Sequence, residues 1–242
     1  MKKEIFMEEL LMKGLIGKLG FEWGDPVFFL AMVFCIVVPY LLGSVNFAVV
    51  FSKAMHHDDV RTHGSGNAGS TNMLRTYGIK AAALTFAGDI LKGVISTLLG
   101  FLILPYYTGF AYISALACML GHAFPIYYGF KGGKCVATFA GALLVLNPLV
   151  WILLLLVFVL VVYISRYVSL GSVICAAAFP ILSNMMPIIT LTTENGAVGA
   201  VPPAGIIAAV LMGVLIIVLH RQNIVRLWQG KESKISFKKK KS

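Results

Sequence analysis

The chain has 242 residues, of which 59% are hydrophobic and 12% charged, with a formal net charge of +10. Soluble domains hold about 45–50% apolar and about 25% charged residues, so both a soluble enzyme and a disordered chain are excluded. Five stretches lack Asp, Glu, Lys and Arg: 26–52, 93–130, 135–165, 167–193 and 195–219. Each reaches the ~20 residues that cross a ~30 Å hydrocarbon core. The expected fold is all-α, a polytopic integral membrane protein; a transmembrane barrel would have short alternating segments instead. Cys35, Cys118, Cys135 and Cys175 form no C-x-x-C pair, so neither a disulfide framework nor a metal site is expected.

Residues 1–25 form an N-terminal extension. It begins like a signal peptide, but Glu4, Glu8, Glu9 and Lys13 interrupt the apolar core. Phe6, Leu10, Leu11 and Leu15 fall near helical spacing, which predicts an amphipathic helix on the membrane surface. The membrane domain covers 26–232 and opens with a span over 26–52. A second span, 81–104, contains Asp89 and Lys92, three residues apart and able to pair. As one helix, 93–130 would be roughly 57 Å long. It must fold back, and the turn chemistry of 105–109 leaves 109–130 as the third span. Two further spans, 167–190 and 205–220, flank a stretch with Gly196, Gly199, Pro202 and Pro203.

Segment 135–165 could be one long helix or two short ones meeting at Asn147-Pro148. Two helices put loops 53–80, 131–134 and 166 and the tail from 221 on one side, with all fifteen of their Lys and Arg. The opposite interhelical loops then hold none, as the positive-inside rule requires. The reading is seven transmembrane helices, with the N-terminus outside and the C-terminus cytoplasmic. Residues 233–242 are a basic tail, where Lys238–Lys241 suit anionic headgroups. No separate basic domain exists to bind nucleic acid.

Three segments on the basic side are rich in anion-binding groups. In 58–78, Gly64, Ser65, Gly66, Asn67 and Gly69 form a tight cluster able to aim several N–H groups at a phosphate. Ser70, Thr71 and Asn72 add donors, and Arg61 and Arg75 flank them; a flexible loop is the alternative. In 131–138, Lys131, Gly132, Gly133 and Lys134 combine point charges with close backbone approach, without Walker spacing. An ordinary basic turn is the alternative there. In 220–233, His220, Asn223 and Arg226 recur every three residues and share a helix face, leaving Ile224 and Leu227 to lipid or protein. That segment reads equally as site or anchor. A transporter of a phosphorylated metabolite, or a headgroup-binding protein, would use some of these groups. Glu194 as the only charge in the outer loops counts against a transport path.

Together these segments resemble the bacterial membrane glycerol-3-phosphate acyltransferases that use acyl-phosphate as donor. GSVNFA at 43–48 leads into DVRTHGSGNAGSTNMLRTYG at 59–78, similar to the family's first motif. GHAFPIYYGFKGGKCVAT at 121–138 resembles the second, HRQNIVRLWQGKE at 220–232 the third, and DILKG at 89–93 a further family segment. The likeness covers about residues 40–232. Cys135 stands where the family usually has Gly, and Asn46 where Pro is common.

The resemblance implies transfer of a fatty acyl group from acyl-phosphate to the 1-hydroxyl of glycerol 3-phosphate, giving lysophosphatidic acid and phosphate. It implies no cofactor, membrane lipids as surroundings, no obligate protein partner, and a site at the cytoplasmic face of the bacterial plasma membrane. It makes His220, Asn223, Ser65 and Arg61 the catalytic candidates. Acyl-phosphate is expected near Lys131, Gly132, Gly133, Lys134 and Thr138. Glycerol 3-phosphate is expected to draw on Arg61, Ser65, Asn67 and Lys92. Ser44, Lys53, Gly64, Gly66, Gly69, Thr71, Asn72, Arg75 and Arg226 complete the substrate-binding set, and Asp89, His122 and Glu232 are structural. His220 is the candidate base, with a substrate phosphate as the other proton acceptor. A Cys135 thioester is chemically reasonable, but the family's Gly there implies direct attack by the hydroxyl.

Overall fold

Apolar runs interrupted by Asn, Pro and Gly set the helix boundaries. The computed structural model describes Leu15, Gly20 and residues 25–104, 109–186 and 201–235, and the described residues contain no strand. The helices in chain order are α1 (Pro26–Ser44), α2 (Phe47–His56), α3 (Ser70–Tyr77), α4 (Ile79–Ile103) and α5 (Gly109–Ala123). They continue with α6 (Val136–Leu146), α7 (Pro148–Ser165), α8 (Val168–Met185), α9 (Pro203–Leu219) and α10 (Arg221–Trp228). Apart from Leu15, the expected surface helix in 1–25 lies outside the described residues. So do 105–108 of the turn, Glu194 and its loop, and the lysine run of the tail.

Two breaks are built from asparagine caps. Asn46 ends the first run and accepts a 3.2 Å bond from the Val49 N–H, starting α2. Asn147 does the same for Val150 at 3.1 Å, with Pro148 opening α7. Proline suits that position because its missing N–H has no partner in a first turn. The division of 135–165 at Asn147-Pro148 is therefore present.

Among the described residues, five stretches are long and apolar enough to cross a membrane: Pro26–His56, Ile79–Ile103, Gly109–Tyr128, Pro148–Ser165 and Val168–Met185. α9 and α10, bent by 56° at their junction, make a sixth as a pair. α6 has 11 residues, about 16 Å of helix and half a hydrocarbon core. The expected seven spans, with 135–165 as two short helices, are therefore not all met by length: among the described residues five or six stretches qualify, and α6 falls short. α7 presents Ile152, Leu156, Val159 and Leu160 outward, a surface that only lipid covers comfortably.

Small residues hold the bundle together. A Cβ on Gly43 would strike the Cys118 carbonyl, and one on Gly121 the Tyr40 carbonyl, so α1 and α5 touch backbone to backbone. Gly93 meets the Thr138 carbonyl and Gly141 the Ile90 carbonyl, joining α4 to α6 in the same way. Such contacts replace the hydrophobic drive that lipid removes. The main core runs through α5 to α9, centred on Tyr112, Met119, Phe139, Phe179 and Met212. A smaller one, with Val49, Val60 and Met73, sits under the loop before α3.

Candidate active site

The loop before α3 is held by one side chain. Asn72 donates through Nδ2 to the Val60 carbonyl (3.0 Å) and the His63 carbonyl (2.9 Å), and its Oδ1 accepts from the Ser65 N–H (3.1 Å). It is buried, and these bonds occupy its amide. Gly64 beneath it has φ +57, and a Cβ there would collide with Asn72 Oδ1. Only glycine fits both demands.

Arg61 braces this loop against the next one. Its guanidinium pairs with the Asp59 carboxylate at 2.7 Å and donates to the Tyr128 carbonyl at 2.9 Å and the Lys131 carbonyl at 3.4 Å. Burial opposes the charge of Asp59, but the hydrogen bond from Arg61 holds its carboxyl below the usual range.

The Lys-Gly-Gly-Lys turn is closed differently from the expected cradle. Gly132 N–H donates to the Ala123 carbonyl (3.2 Å) and Gly133 N–H to the His122 carbonyl (3.0 Å). A Cβ on Gly132 would overlap the His122 carbonyl, and one on Gly133 the His122 ring. The two glycines let the turn lie on the end of α5, and their N–H groups are already used.

Below this turn, Lys92 is buried in α4. Its Nζ donates to the Gly43 carbonyl (3.0 Å) and the Val45 carbonyl (2.8 Å), and meets His122 Nδ1 at 2.8 Å. Asp89 Oδ1 lies 2.8 Å from Nζ as an ion pair, without hydrogen-bond alignment. The cation therefore ties α4 to the end of α1, where the helix dipole favours it.

A cavity of about 490 Å³ opens between these pieces. The first motif lines it with Gly64, Ser65, Asn67, Gly69, Thr71, Asn72 and Arg75. The second brings Lys134 and Cys135, and the third His220, Asn223, Arg226 and Glu232. Asp89 and His122 reach it from α4 and α5. Arg61, Ser44, Lys53, Gly66, Lys92, Lys131, Gly132, Gly133 and Thr138 are not brought to its wall. Of these, Ser44 bonds the Tyr40 carbonyl at 2.9 Å, and Lys53 is exposed on α2.

Glu232 is the hub on the third-motif side. It accepts from Asn223 Nδ2 (2.6 Å), Arg226 Nε (2.7 Å) and Ser169 Oγ (2.9 Å). Asn223 turns its Oδ1 to Lys134 Nζ, joining the third motif to the second. Burial works against the Glu232 charge, but the bonds from Arg226, Asn223 and Ser169 outweigh it and lower its pKa. Lys134 is pushed down from the ordinary lysine range, first by burial, then by Arg226, with Glu232 opposing and Arg75 adding. Among the described residues Arg75 makes no ion pair. Three cations from three motifs thus crowd one cavity with a single carboxylate between them, apart from Asp89, which Lys92 neutralises. This arrangement favours a polyanion.

His220 sits at the joint of α9 and α10. Its Nδ1 lies 2.8 Å from the Ile216 carbonyl, so Nδ1 carries the proton and Nε2 keeps the free lone pair. Cys135 has φ +65, a left-handed conformation that glycine adopts at least cost, and its thiol donates to the Met119 carbonyl at 3.1 Å.

Part of the lining went unnoticed in the sequence. Phe86, Val136, Phe158, Val168, Ser169 and Ser172 also line the cavity. Inside apolar spans they read as ordinary packing residues, and only the Arg166 break before α8 hints that Ser169 lies near an interface.

A polytopic helical bundle whose loops converge on an anion-receiving cavity with an apolar wall is an integral membrane protein built for an amphiphilic, phosphorylated ligand. The family model described as glycerol-3-phosphate acyltransferase matches residues 33–230, and the chain belongs to that family. It is 42% identical over 207 residues to the glycerol-3-phosphate acyltransferase of Clostridioides difficile strain 630, covering 84% of this chain and 95% of the relative. The corresponding protein of Syntrophomonas wolfei is 39% identical over 206 residues, covering 84% and 96%. The crystal structure of PlsY (YgiH), an integral membrane glycerol 3-phosphate acyltransferase, is similar in its glycerol 3-phosphate form. The TM-score is 0.72 at 34% identity, with 85% of this chain and 96% of that one covered. Its lysophosphatidic acid form has a TM-score of 0.70 at 33% identity.

Proposed function

We propose that this protein transfers a fatty acyl group from acyl-phosphate to the 1-hydroxyl of glycerol 3-phosphate, releasing lysophosphatidic acid and phosphate for phospholipid synthesis. The observation that carries this reading is the meeting of Arg75, Lys134 and Arg226 in a cavity that also has an apolar wall. Two phosphorylated substrates need that charge, and one of them needs the wall for its acyl chain. Relatives over most of the chain carry the name of this activity, which disfavours a transporter.

In this reading the glycerol oxygen attacks the acyl carbon, the acyl–phosphate bond breaks, and phosphate leaves. The donor is already activated, so positioning and charge neutralisation supply most of the rate. Lys134 and Arg226 hold phosphate oxygens. Ser65, Asn67, Thr71 and Arg75 hold the acceptor. His220 presents Nε2 to the attacking hydroxyl and takes its one proton, which passes on to the departing phosphate. Asn223, fixed by Glu232, keeps Lys134 in place. Arg61 and Lys92, among the expected substrate ligands, act in this reading as braces on loops and helices.

The chain crosses the bacterial plasma membrane seven times, with α6 as a short span that borrows length from the Lys-Gly-Gly-Lys turn. Its N-terminus is outside, and the cavity opens to the cytoplasm. Residues 26–232 form the catalytic domain, and neither coenzyme nor protein partner enters the reaction.

Purified protein given acyl-phosphate and glycerol 3-phosphate tests this directly. Lysophosphatidate should appear, and acyl-coenzyme A should not replace the donor. No product from either donor would contradict the assignment.

A further inference from the structure

α10 is inverted for a helix in water. Its polar side chains Asn223 and Arg226 turn inward to Lys134 and Glu232. Its outward side carries Ile224, Val225 and Trp228 beside Arg221 and Gln222 of the first turn, and Trp228 is 90% exposed. A surface helix of a soluble protein has the opposite arrangement.

The outward face also continues that of α9. Leu211, Val214, Val218, Arg221, Val225 and Trp228 are all exposed and follow one another at alternating spacings of three and four. That spacing keeps one side of a helix in register. The stripe survives the 56° bend at His220, so whatever covers α9 reaches α10. On α9 the stripe is wholly apolar, as lipid tails require. Arg221 enters it just where the apolar helix ends, and arginine at such a boundary suits headgroup phosphates. Trp228 then supplies the amphipathic ring that concentrates at membrane interfaces.

We propose that α10 rests on the bilayer interface with Trp228 as its anchor, so that lipid on one face holds Asn223 and Arg226 at the cavity on the other. The occupant of this surface is the phospholipid bilayer itself. The proposal rests on the reading of α9 as a membrane span.

The chain has three tryptophans, Trp23, Trp151 and Trp228, so single-tryptophan proteins are within reach. Trp23→Phe with Trp151→Phe leaves Trp228 alone, on a protein otherwise intact. Reconstituted in phosphatidylcholine–phosphatidylglycerol vesicles, it should lose emission when the lipids carry bromine high on the acyl chain. It should lose little to iodide in the aqueous phase. Strong iodide quenching would mean that the face lies in water and would overturn the proposal. Resistance to both quenchers would mean a second copy covers the face and would overturn it equally. The companion protein with Trp23→Phe and Trp228→Phe keeps Trp151 on α7 and reports the spans. Bromine quenching of Trp151 without quenching of Trp228 removes only the α10 inference. Bromine quenching of neither tryptophan removes the membrane-spanning reading beneath it.

Discussion

Lys134 is the residue on which the site's charge balance turns. Its lowered pKa means that bound anion and proton are linked. A phosphate stabilises the ammonium form, so affinity is full below the lysine's depressed pKa and falls as pH rises through it. Substrate KM should therefore climb on the alkaline side, and Lys134→Arg should move that limb to higher pH, as read from initial rates across pH. Lys134→Ala removes a charge-assisted contact worth about 1.5–3 kcal/mol, which is roughly tenfold to a hundredfold in the KM of one substrate. Arg61→Ala should behave differently. Its donors are all on Asp59, Tyr128 and Lys131, so its loss should shift both KM values and lower thermal stability together. An effect on glycerol 3-phosphate alone would instead make Arg61 a ligand. Cys135→Gly should keep most activity, because the thiol is bonded to the Met119 carbonyl and the backbone already has a glycine's φ. Wild-type protein denatured during turnover should carry no hydroxylamine-sensitive acyl label; a label that Cys135→Gly abolishes would mean a thioester.

Among the elements, the loop before α3 depends on Asn72 and the α4–α6 contact on Gly93 and Gly141. Asn72→Ala removes the side-chain bonds to the Val60 and His63 carbonyls and to the Ser65 N–H and frees the loop, at about 1–3 kcal/mol. Activity should fall far more than the amount of folded protein recovered. Gly141→Ala drives a methyl into the Ile90 carbonyl, and overpacking of this kind costs about 1–3 kcal/mol. The half-life of activity on heating should shorten, while KM of surviving enzyme stays put.

These contrasts mark what the sequence made legible. The Asn147-Pro148 break could be read because capping and proline chemistry are local. So could the Asp89–Lys92 pair, which lies three residues apart on one helix. The use of the Gly132 and Gly133 N–H groups by α5 could not. Hydrogen-bonding capacity is visible in a sequence, but the partner that consumes it comes from elsewhere in the chain. The same holds for Arg61 and for Ser169, whose partner Glu232 lies 63 residues on.

For the whole molecule, charge asymmetry sets the orientation in the proposed topology, and the packing of short helices sets the site. The fifteen Lys and Arg on one set of loops predict that a reporter fused after residue 148 is outside and one after residue 166 is cytoplasmic. A cytoplasmic signal at 148 would remove α6 as a span and invert α7. Product formation in vesicles tests whether three motif cations serve two phosphorylated substrates in one acyl transfer. Wild-type protein given acyl-phosphate and glycerol 3-phosphate should release lysophosphatidate and phosphate in equal amounts, and Lys134→Ala should do so only at raised substrate. Release of phosphate without lysophosphatidate, or an unchanged KM for both substrates in Lys134→Ala, would contradict it.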